Sequence, residues 1–221
     1  MSREERSLLP PVAGEDYSSG PAQELAPGDV LHRSTSAERT SPWWFAVDGG
    51  GRFDLPGVDV GGGPQGTCYL ASDMFGALRE TTAKNHLAGV LMSIEYFKKF
   101  KVWACAVVDD VQLANFHDDG WDAHGITNEI STCDYGLSQN WAEALLRSGF
   151  DGVRYTMRHV LTPGRWGAAL FHDQGAHPSI PRFDAAEVLL NEDLIREFTG
   201  EAHIEIEDEP EDDTDFDIVG S

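Results

Sequence analysis

Charged side chains interrupt otherwise apolar stretches of this chain, and their types point to a shared chemistry. Arg33 follows the segment Val-Leu-His, and Arg52 stands in Gly-Gly-Gly-Arg-Phe, where glycines let the backbone approach a ligand closely. Glu80 lies eleven residues after Tyr69. Two arginines suit a pyrophosphate, because each guanidinium is permanently charged and offers paired donors.

The tyrosine and the carboxylate suit the remaining parts of a dinucleotide. A tyrosine ring stacks on a flat heterocycle. A single carboxylate can stabilise a sugar cation while it bonds a ribose hydroxyl, as carboxylates do for oxocarbenium-like states in glycoside cleavage. A dinucleotide with a cleavable N-glycosidic bond would therefore satisfy all four side chains.

A glycine-rich loop imitates a nucleotide-binding motif without its context. Gly61, Gly63 and Gly66 have the spacing G-x-G-x-x-G, which is meaningful only where it follows a strand and opens a helix. Here Pro64 interrupts the motif, and the strand-like residues come after it. The segment is therefore interpreted as a flexible loop.

The eight histidines do not indicate a metal site. His117 with Asp118 and Asp119, or His172 with His177, could supply ligands. Neither group has the helical spacing of a zinc protease or a cysteine at zinc-finger spacing. We therefore predict no bound metal.

The three cysteines give neither a disulfide framework nor a nucleophile. Cys68, Cys105 and Cys133 include no C-x-x-C pair. Cys68 and Cys105 lie in apolar, strand-like segments that suit buried thiols, and no G-x-S-x-G elbow is present. We expect a protein of a reducing compartment, most simply the cytoplasm.

The charge balance limits the partners. The 221 residues carry 16 Lys and Arg against 38 Asp and Glu, a formal charge of −22. Binding to nucleic acid or to an anionic membrane depends on basic side chains, so neither is expected as a partner. No run approaches the length of a membrane span, and the N-terminus lacks the apolar core of a signal peptide.

Periodicity and capping signals predict alternating strands and helices, which favours the α+β class with a single mixed sheet. Strands are predicted at 67–71, 102–108, 153–157 and 168–172. Helices are predicted at 75–100, at 138–147 with Ser138 as N-cap and Gly149 as stop, and at 192–198 between Asn191 and Gly200.

Composition divides the chain into three parts. Residues 1–28 are rich in Pro, Ser, Gly and Glu and are predicted to be a flexible segment. Residues 29–200 form the predicted domain. Residues 201–221 hold ten acidic residues and no Lys or Arg, which predicts a disordered acidic tail.

The order of several short motifs resembles the RES domain family, known chiefly as toxins of bacterial toxin–antitoxin pairs. The matching segments begin with Leu-His-Arg at 31–33, Gly-Arg-Phe at 51–53, Tyr-Leu-Ala-Ser at 69–72 and Ala-Leu-Arg-Glu at 77–80. They continue with Tyr-Gly-Leu-Ser-Gln at 135–139, the segment 149–155 and Ala-Ala-Leu-Phe at 168–171. Each motif is short, and the resemblance rests on their ordered combination.

The resemblance implies an ADP-ribosyltransferase-like fold with a cleft for NAD+, cleaved at the nicotinamide–ribose bond by hydrolysis or phosphorolysis. Arg33 and Arg52 would then be the family arginines that face phosphate groups. Tyr69 would pack in the nicotinamide or ribose pocket, and Glu80 would be the catalytic carboxylate. NAD+ would be the substrate, with no separate cofactor, and a cognate antitoxin protein would be the partner.

One position departs from the family pattern. The pattern near the later strand is a tyrosine, one residue, then a serine; here Tyr155 is followed by Thr156 and by Met157 at the serine position. A thioether cannot donate the serine's hydrogen bond, and strand alternation turns Thr156 to the opposite face from Met157. Either a bulge presents Thr156, or the role is lost, or the loop has another use. The departure bears on catalytic competence more than on the fold.

The leading hypothesis is an NAD+-consuming enzyme with Glu80 and Arg33 as its catalytic residues. Glu80 stabilises the ribose cation, Arg33 and Arg52 hold the pyrophosphate, and the acceptor enters beside Arg33 and the Thr156 region. The alternative is a catalytically reduced RES-like domain that binds a nucleotide or a protein. Transfer of ADP-ribose to a macromolecule is a third option. The sequence leaves the acceptor and the oligomeric state open.

Overall fold

A computed structural model describes residues 8–82, 91–160 and 162–207. Its strands are β1 Ala22–Leu25, β2 Val30–Ser36, β3 Trp44–Phe45, β4 Gln65–Ala71, β5 Met92–Ser93, β6 Phe100–Val107, β7 Val111–Asn115, β8 Gly152–Tyr155, β9 Gly167–Asp173, β10 Gly175–Ala176, β11 Phe183–Val188 and β12 Ile206–Glu207. Its α-helices are α1 Met74–Thr82, α2 Ile94–Phe97, α3 Tyr135–Arg147 and α4 Glu192–Glu201, and 3₁₀ helices span Asp119–His124 and Asn128–Ser131.

The main sheet is mixed and curled, which confirms the predicted α+β class. Within the described ranges it has eight strands in the order β1-β7-β8-β9-β4-β2-β6-β11. Only β7 and β8 pair in parallel among these strands. A parallel pair needs a long crossover connection, and the chain supplies it with the 3₁₀ helices and α3.

Both faces of the sheet are covered by apolar side chains. One face packs against α3, the 3₁₀ helices and the N-terminal segment, with Trp121, Trp141 and Phe53 fully buried. The other face buries Trp43 and Phe45 together with side chains of β4 and β9. A smaller cluster joins α1, α2 and α4. The sheet residues therefore alternate between two cores, as the period of two in a strand requires.

The N-terminal segment is part of the fold from residue 8 onward. Leu8 and Tyr17 are 3% and 1% exposed, and β1 pairs with β7. The indole of Trp141 donates to the Leu9 carbonyl, and the Ser148 hydroxyl accepts from the Tyr17 amide. The prediction of a flexible segment over 1–28 is therefore wrong for residues 8–28, because a few apolar anchors outweigh the polar composition between them.

The predicted long helix at 75–100 is also wrong. The helix α1 is described over Met74–Thr82, and the stretch 91–100 contains the short strand β5, the short helix α2 and the start of β6. The periodic residues Leu87 and Val90 lie outside the described residues. Ile94 and Phe97 do face apolar neighbours, but they do so from α2, which Ser93 caps through the Tyr96 amide.

The other predicted elements are present with shifted ends. The four predicted strands correspond to β4, β6, β8 and β9. The helix predicted at 138–147 begins earlier, at Tyr135, and Asp134 caps it instead of Ser138. Asn191 caps α4 as predicted, but α4 continues through Gly200 to Glu201.

The start of the predicted acidic tail belongs to the described structure. Residues 201–207 complete α4 and form β12, which pairs with β5. Residues 208–221 lie outside the described residues. In the part of the chain that the structure describes, no helix is long and apolar enough to cross a membrane.

Removing the Tyr17 ring tests the packing of the N-terminal segment. Tyr17→Ala is expected to lower the free energy of unfolding by about 3 kcal/mol or more, because it opens a cavity beside Trp141. Val12→Ala is the matched control, since Val12 is 63% exposed. Urea denaturation measures both. Equal, small losses in the two variants would contradict the packed arrangement.

Candidate active site

A cavity opens where β2 and β4 separate. The two strands pair only at His32 and Ala71, while β2 pairs with β6 over seven residues and β4 pairs with β9 over seven. Beyond the single pair, the space between β2 and β4 becomes a cavity of about 370 Å³. Every predicted site residue lines it: Arg33, Arg52, Tyr69, Glu80 and Thr156.

Arg33 spans the gap from β2 toward β3. Its Nη2 donates to the Trp44 carbonyl at 3.2 Å, and its Nη1 donates to the Pro42 carbonyl and contacts the Cys68 thiol. Burial raises the pKa of the Cys68 thiol, although the charge of Arg33 opposes that rise. These contacts hold the guanidinium in place, and Arg33 is itself a lining residue of the cavity.

Arg52 is held by the segment that precedes α3. Its Nη1 donates to the Cys133 carbonyl at 2.9 Å and to the Ile130 carbonyl at 3.3 Å. The guanidinium lies over the Tyr135 ring, 4.7 Å from its centroid. Nη1 is the donor in both hydrogen bonds that are described for the Arg52 guanidinium.

The loop that carries Arg52 is fixed by a buried polar network. The Tyr69 hydroxyl donates to the Asp54 carboxylate at 2.8 Å and accepts from the Phe53 amide at 2.8 Å. The other Asp54 oxygen accepts from the Gly51 amide at 2.8 Å. Burial raises the pKa of Asp54 and, with the charge of Asp54, raises the pKa of Tyr69. Asp54 is 1% exposed, so these hydrogen bonds attach the loop to β4 in a position that is shielded from solvent.

Sequence reasoning missed two side chains of α3 that hold the same loop. The Ser138 hydroxyl donates to the Arg52 carbonyl at 2.6 Å. The Gln139 amide donates to the Gly51 carbonyl at 2.9 Å and to the Gly49 carbonyl at 3.1 Å. The motif at 135–139 contains both residues, but the capping pattern alone predicts Ser138 to be the N-cap of the helix. Ser138 instead lies buried inside α3. There its hydrogen bond holds the loop that carries Arg52, residues 49–54, which we call the arginine loop.

Glu80 projects from α1 into the cavity. Its Oε1 accepts from the His159 amide at 2.9 Å, which fixes one oxygen of the carboxylate. Burial raises the pKa of Tyr155, and the charge of Glu80 raises it further. The carboxylate therefore lies close to the end of β8, where Thr156 follows.

Thr156 and Met157 face opposite sides, as alternation predicts. β8 ends at Tyr155, Thr156 lines the cavity, and Met157 is 2% exposed in the core. Met157 packs against α1, where a Cβ on Gly76 would lie 3.0 Å from the methionine Cε. Of the two residues, Thr156 is therefore the one that lines the cavity.

The described residues contain no cluster of side chains that could hold a metal ion. No group of three or more His, Cys, Asp and Glu side chains within 8–82, 91–160 and 162–207 is arranged to hold a metal ion. The predicted candidate pair His172 and His177 forms a ring contact beside Phe45 instead. The site therefore offers arginines, a carboxylate and hydroxyls.

The mixed sheet opens at a cavity lined by two arginines of the predicted site and a glutamate, and comparison with known families identifies the family of the chain. The family model for the RES domain matches residues 30–190, so the chain belongs to the RES domain family. No curated protein matched.

A solved structure shares the fold. It is the crystal structure of the M. tuberculosis MbcT-MbcA toxin-antitoxin complex, with a TM-score of 0.54 and 15% sequence identity. The alignment covers 80% of this chain and 92% of that chain. The likeness at this identity is one of fold.

Gly51→Ala tests the attachment of the arginine loop. A Cβ at this position would lie 2.4 Å from both the Tyr69 hydroxyl oxygen and an Asp54 oxygen, so the loop must move. We expect a loss of about 1–3 kcal/mol in the free energy of unfolding, as for other broken buried networks. The control is Gly62→Ala, where a Cβ meets nothing within 4 Å. Equal stability of the two variants would show that the loop is not fixed as described.

Met157→Ala tests whether Met157 is a core residue. We expect a loss of about 2–5 kcal/mol on truncation of a buried methionine, measured by thermal or urea unfolding. Thr156→Ala, one residue earlier and exposed, should change stability by about 0.5 kcal/mol or less. If the two losses were reversed, Met157 and not Thr156 would face the cavity.

Proposed function

We propose that this chain cleaves NAD+ at the nicotinamide–ribose bond and transfers the ADP-ribose moiety to water or phosphate. The observation that carries the proposal is the cavity itself, which gathers five side chains from between residues 33 and 156. Its volume of about 370 Å³ lies in the range of ligand pockets. Membership of the RES domain family supports the same reaction, since cleavage of NAD+ is characteristic of that family.

The arginines would bind the pyrophosphate. The fork of Arg52 has its described hydrogen bonds on Nη1 alone, so the edge formed by Nε and Nη2 suits a phosphate oxygen pair. Arg33 would add charge while its own hydrogen bonds hold it still. Arg158, an exposed residue of the cavity wall, would add a third cation at the mouth. Cations fixed in advance need no reorganisation when the ligand arrives.

Buried polar atoms on the wall suit a polar ligand. The His32 Nδ1 and Ser34 Oγ are buried and have no hydrogen-bond partner among the described residues. Burial lowers the pKa of His32, which favours the neutral ring. Unsatisfied buried polar groups are rare in native structures, and a bound dinucleotide would supply partners for both.

Glu80 would act on the ribose. As the bond from C1′ to the nicotinamide nitrogen breaks, its electron pair leaves with nicotinamide and positive charge develops on the ribose. A carboxylate held by the His159 amide is positioned to stabilise that charge and to bond a ribose hydroxyl. Groups of this kind typically contribute about 10²–10³ in rate. NAD+ is the substrate in this scheme, and no separate cofactor takes part.

A cognate antitoxin is part of the proposal. The related fold was solved as one member of a toxin-antitoxin complex. A small protein encoded beside this chain would be the first partner to test, by co-expression and co-purification. The negative charge of this chain, −22, would favour fast encounter with a basic surface.

Glu80→Gln tests the reaction. The amide keeps an oxygen that can accept from the His159 amide but loses the negative charge. We expect nicotinamide release from NAD+ to fall by about 100-fold or more. The matched control is Glu143→Gln on α3, which removes only an exposed ion pair with Arg147 and should retain the full rate. Mass spectrometry of the second product, with and without phosphate, identifies the acceptor.

The alternative function has a distinct result in the same experiment. A folded chain that binds ADP-ribose but releases no nicotinamide would be a nucleotide-binding domain. Release that is equal in the Glu80→Gln and Glu143→Gln variants would contradict the role of Glu80.

A further inference from the structure

Thr156, which lines the cavity, is hydrogen-bonded through its hydroxyl to a histidine. Thr156 Oγ1 and His117 Nε2 are 3.0 Å apart. Thr156 lines the cavity with Glu80, whereas His117 stands outside its wall, two residues beyond the end of β7. The pair therefore runs from the reacting region to the protein surface.

We infer that Thr156 and His117 handle the attacking water in this cavity: Thr156 binds the water, and His117 receives its proton through the Thr156 hydroxyl. The inference rests on the proposed function and adds to it an acceptor, water, and a route for the proton. In these terms His117 is a positioning residue that acts through Thr156.

The surroundings of His117 keep its ring able to accept a proton. Partial burial lowers the pKa of His117 below its usual value of 6.5, and the charge of Arg154 lowers it further. A ring that is neutral near pH 7 has one nitrogen free to accept a hydrogen bond. The Arg154 guanidinium is held in position, because its Nη1 donates to Gln23 Oε1 at 2.8 Å and its Cζ lies 4.7 Å from the Trp166 ring centroid.

The proton balance of the step is complete. The water oxygen forms a bond to C1′ as the bond to nicotinamide breaks, and nicotinamide leaves with the electron pair. The water proton passes to Thr156 Oγ1 while the threonine proton passes to His117 Nε2. The products are ADP-ribose, nicotinamide and an imidazolium. His117 is an exposed residue, so the imidazolium returns its proton to solvent and the pair is restored.

The same geometry explains how a chain with methionine at the serine position keeps a hydroxyl in the site. Met157 is used for packing against α1, and the strand ends one residue earlier, at Tyr155. Thr156 then faces the cavity with its hydroxyl already oriented by His117. A purely structural role for this hydrogen bond, joining the ends of β7 and β8, would affect stability and leave the pH dependence of the reaction unchanged.

The test is the rate of ADP-ribose formation from NAD+ in phosphate-free buffer between about pH 5 and 8, measured with the full chain. For the unmodified chain, the rate should fall as the pH drops through a pKa below 6.5, the usual value for His117. His117→Gln keeps a hydrogen-bonding amide but cannot take the proton. We expect it to be about 100-fold slower, the lower end of a general-base contribution, and to lack this limb of the profile.

Matched variants distinguish the effect of the Thr156 hydroxyl from the effect of the shape of the side chain. Thr156→Val should behave as His117→Gln does, whereas Thr156→Ser keeps the hydroxyl and should keep the limb. Thr132→Val removes a hydroxyl that does not line the cavity and should leave the profile unchanged. His32 and His159 also line the cavity. The fall in rate at low pH is therefore assigned to His117 only if the His117→Gln variant lacks it.

Each result decides between the two proposals. If the limb persists in His117→Gln, or if only the phosphate-derived product forms when phosphate is present and no ADP-ribose forms without it, the inference is wrong while NAD+ cleavage stands. If the unmodified chain releases no nicotinamide under any condition, the proposed function is wrong and the inference fails with it.

Discussion

The candidate site depends on how little β2 and β4 pair. A single residue pair, His32 with Ala71, joins two strands that are otherwise fully paired on their far sides. A sheet interior normally has no room for a ligand, because neighbouring strands lie about 4.8 Å apart. Here the separation exposes backbone and side chains of both strands to one space. Everything proposed for the chemistry uses groups on or near that opening.

An opening inside a sheet needs other contacts to keep its shape. Arg33 on β2 contacts the Cys68 thiol on β4, and it also donates to the Pro42 and Trp44 carbonyls. On the opposite side, the Tyr69–Asp54 bond attaches the Arg52 loop to β4, and α3 holds the same loop through Ser138. The charged groups are thus part of the framework as well as of the site. This arrangement restricts their motion before a ligand binds, which is the condition under which fixed charges contribute most to catalysis.

The ordered motifs predict five site residues, Arg33, Arg52, Tyr69, Glu80 and Thr156, and the structure brings all five to one cavity. The four predicted strands and two of the three predicted helices are also present, with shifted ends. The predictions of a long helix at 75–100 and of a flexible N-terminus are wrong because helical periodicity and composition are local signals. The burial of Tyr17 and the pairing of β5 with β12 depend on contacts with distant parts of the chain. The hydrogen bonds of Ser138 and His117 could not be predicted from the sequence, since their partners lie 86 and 39 positions away in the chain.

The most direct measurement of the central claim is hydrogen–deuterium exchange of the full chain with and without a non-cleavable carbocyclic analogue of NAD+. The account predicts protection confined to the segments that line the opening, residues 32–34, 50–52, 69–71, 77–81, 135 and 155–159. Protection confined to a different surface, such as the groove between residues 10–16 and α3, would contradict it. So would an unchanged exchange pattern at saturating concentrations of the analogue.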